Sequence, residues 1–128
     1  MTLRVRPFGD GDLDAAAQIH AQSFARQRHS REWISCNARA HPRARLYVAD
    51  ADGAVRGFIL WSEKSGFRRE VVLELEQIAV AATHRNQGIG EALIVQRLYR
   101  KTLGAEVEAT LRGLYSGDEV LMVARKPL

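Results

Sequence analysis

Apolar and basic residues alternate from Leu3 to Arg6, the period of a half-buried strand, and Pro7 ends the run because proline cannot donate to a ladder. Past Asp10-Gly11-Asp12, whose carboxylates offer a helix cap, Leu13, Ala16/Ala17, His20 and Phe24 recur at helical spacing and predict a first helix through about Arg26. Ser30 is placed to cap a second, shorter helix carrying Trp33, Ile34 and Ala38. That helix should stop near Ala40 and His41, because Pro42 disfavours helix at the residue before it. Arg45–Ala49 and Val55–Trp61 read as strands joined through the hairpin signal Asp52-Gly53. After the Ser65-Gly66 break, Glu70–Val80 is a long valine- and leucine-rich strand interrupted by Glu74 and Glu76. A third helix over Glu91–Thr102 follows from Ala92, Val95 and Tyr99, with Gly104 as its C-cap. Two last strands fit Val107–Leu111 and Val120–Val123, around a Ser116-Gly117-Asp118 turn. The order of elements predicts an α/β (α+β) chain.

With 128 residues, 46% of them hydrophobic and 27% charged, the expectation is one domain over 1–128 with a core that needs neither disulfides nor metal. Cys36 has no partner for an intrachain bridge and reads as a buried or half-buried thiol. The opening Met1-Thr2-Leu3-Arg4-Val5-Arg6 lacks the apolar core of a signal peptide, so a cytoplasmic setting is expected. No run approaches the ~18 apolar residues of a membrane span, so no membrane partner is expected. The net charge of +4 is unevenly spread: between Arg26 and Arg45 stand six arginines and two histidines against one acid, Glu32. That cluster reads as a solvated helical face. Without aromatic interleaving or a helix-turn-helix pattern, nucleic acid is not the expected partner. The four histidines show no metal-ligand spacing, so no metal is expected, and His84 reads as a loop residue. Trp33, Trp61 and Tyr47 are core candidates, with the wall of an acceptor pocket as the alternative.

The chemistry concentrates where the Glu70–Val80 strand runs into the third helix through Arg85-Asn86-Gln87-Gly88-Ile89-Gly90. An Arg-x-x-Gly-x-Gly loop in that setting suits a pyrophosphate. Glycines admit close backbone approach, consecutive N–H groups converge on the anion, and the helix N-terminus adds its dipole. A dinucleotide fingerprint fails because Leu93 stands where its third glycine belongs, and a Walker loop fails because no Gly-Lys pair exists. Upstream, Glu74 and Glu76 are the best-placed proton acceptors, on the same sequence parity as Ile78 and Val80.

The loop and its context resemble the GCN5-related N-acetyltransferase (GNAT) family, whose signature is Gln/Arg-x-x-Gly-x-Gly/Ala between the fourth strand and the third helix. The resemblance runs from Met1 to about Gln96. It implies a mixed, mostly antiparallel sheet flanked by helices, with strands four and five splayed to admit acetyl-CoA as cosubstrate. The main chain of Ile78, Ala79 and Val80 would pair with the pantetheine arm, and the N–H groups of Gln87, Gly88, Ile89, Gly90 and Glu91 would hold the pyrophosphate beside Arg85 and Asn86. Catalytic roles would fall to Glu76, favoured slightly over Glu74, as proton acceptor and to Tyr99 as general acid, with Tyr115 a weaker rival. Only nine positions separate Gly90 from Tyr99, where the family places the end of helix three, strand five and the start of helix four. The chain therefore reads as carrying an internal deletion around strand five, between about Val95 and Arg97. The implied activity is acetyl transfer to a primary amine of a small molecule or a peptide or protein acceptor, with a homodimer as a possible assembly. The alternatives are a CoA-binding or regulatory module without turnover and, from the arginine cluster, a nucleic-acid-binding domain.

Overall fold

The computed structural model describes residues 1–64, 71–94, 106–107 and 123–126. Tyr99, Tyr115, the Gln96–Arg97 junction and the Ser116–Asp118 turn lie outside them. The chain runs β1 (Leu3–Pro7), a 3₁₀ turn (Asp10–Asp12), α1 (Leu13–Ser23), α2 (Ser30–Ala38), β2 (Ala44–Ala51), β3 (Ala54–Glu63), β4 (Val71–Val80), a 3₁₀ turn (Ala82–His84), α3 (Ile89–Ala92), β5 (Glu106–Val107) and β6 (Val123–Lys126). The sheet order is β1-β2-β3-β4-β6-β5, with every described pairing antiparallel.

Buried runs such as Leu46-Tyr47-Val48-Ala49 arise because helices cover both faces of the sheet, so neither side-chain parity reaches water. On one face Ala16, Ile19 and Ile34 of α1 and α2 pack on Leu46, Val48, Phe58, Leu60 and Ala79. On the other, Ile89, Leu93 and Ile94 pack on Tyr47, Ala49, Ile59, Trp61, Leu73, Leu75 and Val80. Tyr47 and Trp61 are thus core residues, as expected. The β2–β3 hairpin closes on Asp52 (φ 53°) and Gly53 (φ 87°), the two positive-φ positions of a tight primed turn.

Several local expectations are corrected. Asp12 does not cap α1 with its side chain: the carboxylate accepts both arms of the Arg6 guanidinium, at 2.7 and 2.8 Å, and the Gly9 N–H at 2.8 Å. The charge-assisted fork outcompetes a cap bond. Ser30 does not cap α2 either. The N-cap is His29 in the left-handed region (φ 58°), and the Ser30 hydroxyl meets His20 Nδ1 at 2.7 Å. Helix α1 ends at Ser23, since Phe24 leaves helical geometry, and α2 ends at Ala38. Cys36 is exposed, two positions from the buried Ile34 and so round the other side of a short amphipathic helix. Of the expected strand Val120–Val123 only Val123 is described. It opens β6, whose register with Val71–Glu74 selects Val123–Lys126.

Candidate active site

The two halves of β4 have different neighbours. Val71–Glu74 pairs with β6, and Leu73 and Glu74 with β3 as well, whereas from Leu75 to Val80 the strand pairs with β3 alone among the described residues. Its other edge therefore carries main-chain donors and acceptors that no described strand takes up. That edge leads into the loop. After the Ala82–His84 turn, Asn86 (φ 62°) and Gly88 (φ 80°) adopt left-handed backbone, and Gly88 serves as N-cap of α3. Nothing lies within 4 Å of where a Gly88 Cβ would stand, so the loop is open on that side. Arg85 to Gly88 and Glu91 are exposed, while Ile89 anchors the joint in the α3-side core. The first N–H groups of α3 lack intrahelical partners by construction, which leaves them for an anion. Arg85 Nε donates to the Val80 carbonyl at 3.4 Å, folding its side chain back over the end of β4.

A bulge separates the carboxylates from the face expected for them. Leu60 pairs with Gln77 but Trp61 pairs with Leu75, so Glu76 is an extra residue in the ladder. Side-chain parity therefore flips across it. Leu73 and Leu75 on one side of the bulge, and Ile78 and Val80 on the other, all turn to the α3-side core. Glu74 stands opposite Ser62, and the Ser62 hydroxyl donates to the Glu76 carboxylate. Both acids thus lie on the α1–α2 face, not the face of Ile78 and Val80 that sequence parity assigned them. Glu76 is exposed and Glu74 half-buried.

On the same face is a polar cluster that sequence reasoning did not assemble. The Trp33 indole N–H donates to Gln77 Oε1 at 2.8 Å, and Gln77 Nε2 donates to Gln27 Oε1 at 2.9 Å. An indole can only donate, which fixes the Gln77 amide and hence the direction of the chain. His20, fully buried beneath it, bonds Ser30 through Nδ1, while its Nε2 has no hydrogen-bond partner among the described residues. Burial pushes its pKa down, against a weaker opposing pull from the Gln27 and Gln77 amides. The sequence signal was a histidine inside an apolar helical stripe and a glutamine inside an apolar strand. Trp33, about 36% exposed, closes the rim. Among the described residues no group of three or more His, Cys, Asp or Glu is placed to hold a metal, and no helix is long and apolar enough to cross a membrane.

A helix-covered antiparallel sheet whose fourth strand is half open among the described residues and runs through a left-handed loop into a helix defines the class: a mixed α/β domain. Residues 13–111 match the model of the acetyltransferase (GNAT) family, and the chain belongs to that family. Acetyl transfer is its general chemistry. No curated protein sequence matches the chain. Among solved structures it is similar to a ribosomal-protein-alanine N-acetyltransferase from Brucella melitensis biovar Abortus 2308, with 19% identity, TM-score 0.65, and 79% of this chain and 71% of that one covered. An aminoglycoside 6′-N-acetyltransferase complexed with coenzyme A shares 17% identity at TM-score 0.64, covering 77% of this chain and 54% of that one. The PaiA N-acetyltransferase from Thermoplasma acidophilum, in complex with coenzyme A, shares 16% identity at TM-score 0.57 over 100% of both chains. At these identities the likeness bears on the fold.

Proposed function

We propose that this chain is an acetyl-CoA-dependent N-acetyltransferase that moves the acetyl group directly to a primary amine of a small molecule, peptide or protein. The observation that carries the reading is the open half of β4 running into the Arg85–Gly90 loop. On it, the main chain of Ile78, Ala79 and Val80 pairs with the pantetheine arm as an added strand. The N–H groups from Gln87 to Glu91 receive the pyrophosphate, with Asn86 shaping the turn and Arg85 supplying positive charge. Two of the structurally similar proteins carry coenzyme A, which supports the choice of cosubstrate.

In the reaction the acceptor ammonium gives up a proton, its nitrogen lone pair attacks the thioester carbonyl, and a C–N bond replaces the C–S bond. The departing thiolate then takes a proton. Glu76 accepts the first proton directly or through water, with Glu74 behind it. Their place on the α1–α2 face, away from the face of Ile78 and Val80, brings the acceptor in from the side of Trp33 and Gln77. The second proton is assigned to Tyr99.

The test is free-thiol release from acetyl-CoA with a panel of polyamines, aminoglycosides, amino acids and peptide N-termini. Turnover with at least one amine is expected, and Glu76→Gln should lower kcat by about 10²-fold or more and remove the acid limb of the pH–rate profile. If neither Glu76→Gln nor Glu74→Gln changes rate or limb, the general-base assignment fails. Thermal stabilisation by acetyl-CoA with no thiol release would favour a coenzyme-binding module without turnover. Gly88→Val should raise the KM for acetyl-CoA, since a β-branched residue is disfavoured at φ 80°.

A further inference from the structure

The arginine-rich stretch and the two acids of β4 stand far apart in the sequence and meet in the fold. Gln27, flanked by Arg26 and Arg28, accepts from the Gln77 amide at 2.9 Å, and Gln77 is the chain neighbour of Glu76. A second route reaches the same acid. The Arg43 carbonyl accepts the Glu63 N–H at 2.7 Å, and the residue before Glu63 is Ser62, whose hydroxyl donates to the Glu76 carboxylate. Two short chains of bonds thus place Arg26, Arg28 and Arg43 around the acid assigned to proton transfer.

These charges do not neutralise one another. Of the six arginines between Arg26 and Arg45, Arg31 pairs with Asp14 and Arg45 with Glu63 at 4.0 Å. Arg26, Arg28, Arg39 and Arg43 are exposed and make no ion pair among the described residues, and neither do Glu74 and Glu76. Within the stretch itself six arginines stand against Glu32 alone. A pair of acids framed by arginines is a surface of both signs: the acids attract one cation, and the frame attracts anions and repels a polycation.

We propose that the acceptor is an amine borne on an acidic peptide, its ammonium drawn to Glu76 and Glu74 and the carboxylates of nearby peptide residues to Arg26, Arg28 and Arg43. This rests on the acetyl-transfer reading above and narrows its acceptor. A peptide fits better than a single amino acid because the arginines stand before and after α2, whose nine residues span about 13 Å at 1.5 Å each. Four or five extended residues, at about 3.3 Å each, cover that length. Polyamines and aminoglycosides carry further cations beside the reacting one and meet like charge. The amine has two sources, the peptide's α-amine or a lysine side chain. The α-amine, with an ordinary pKa of about 8 against about 10.4, gives up its proton more readily.

The test uses the full chain and hexapeptides with a C-terminal fluorophore, each a serine followed by five glutamates, five glutamines or five arginines. Fluorescence anisotropy reads binding without turnover. At about 50 mM salt the glutamate peptide should bind at least tenfold more tightly than the glutamine peptide, with the arginine peptide weakest, and the gap should shrink at about 0.5 M. Exposed ion pairs change binding only a few-fold each, so a tenfold gap needs several acting together. Arg26→Glu with Arg28→Glu, and Arg43→Glu alone, change exposed side chains, and each should narrow the gap at least threefold. Equal binding of the three peptides, or a gap that both variants leave untouched, overturns the proposal. So does tighter binding of a labelled hexaribonucleotide than of the glutamate peptide, which would make the arginines a nucleic-acid surface. With acetyl-CoA, thiol release should show kcat/KM for the glutamate peptide at least tenfold above the glutamine one, chiefly through KM. An acetyl-blocked glutamate peptide with one internal lysine distinguishes the amines: it is inert if the α-amine is the source and active if lysine is. Thiol release from no peptide would be failure of the acetyl-transfer reading, with the anisotropy series still deciding whether the surface selects acidic peptides.

Discussion

Two buried polar residues, Asp12 and His20, have folded-state pKa values displaced from their ordinary ones. The Arg6 fork holds the Asp12 carboxyl below its ordinary value, helped by the Gly9 N–H and opposed by burial, and Asp12 in turn raises Arg6. A depressed folded-state pKa means stability that is complete above the ordinary aspartate value, about 3.9, and is lost as pH falls through the folded value. Asp12→Asn should therefore cost about 1.5–3 kcal/mol at neutral pH and flatten the acid limb of stability, read by urea melts from pH 7 to 3. His20 is also depressed, by desolvation, so its contribution is complete above about 6.5 and declines as pH falls below it. Thermal melts between pH 7.5 and 5 should show a fall in Tm for wild type that is absent in His20→Gln. An equal fall in that variant would place the response elsewhere.

The elements that could be read in the sequence are those whose cause is local. Alternation gave β1, the Asp52-Gly53 pair its hairpin, and helical spacing α1 and α2. Hidden from it were features decided between elements. The bulge at Glu76 is a property of two strands in register, so parity counted along one of them put both acids on the wrong face. Ser30 looked like a cap because its partner, His20, is ten residues away and buried. The close approach of α3 to the sheet is another such feature. A Cβ at Gly57 would stand 3.0 Å from the Ala79 carbonyl and 3.2 Å from side-chain atoms of both Ile89 and Leu93. Since backbone is among the obstacles, Gly57→Ala should destabilise by about 1–3 kcal/mol through overpacking, measured by chemical denaturation. An unchanged midpoint would mean that α3 can lift without cost.

For the whole molecule, the architecture followed from the resemblance carried by one loop, because that loop makes sense only between a half-open strand and a helix. The Trp33–Gln77–Gln27 cluster did not follow, since it joins α2, β4 and the α1–α2 connection, which meet only in space: Gln27 and Gln77 are fifty positions apart. A ligand that bridges β4, the loop and α3 should stabilise the domain as a unit. Acetyl-CoA at 100 times its Kd adds about 2.7 kcal/mol, a Tm rise on the order of 10 °C for a chain of this size. No shift at saturating acetyl-CoA would remove the cosubstrate from the scheme.

The two tryptophans divide the molecule in a way that is useful at the bench. Trp61 is sealed in the core beneath α3, whereas Trp33 stands half in water on the α1–α2 face with its indole held by Gln77. Their emission should differ in wavelength and in access to quenchers. In a Trp61→Phe protein the remaining fluorescence would come from the rim where the amine is expected to arrive, so an acceptor's docking could be followed optically, without labels and without turnover.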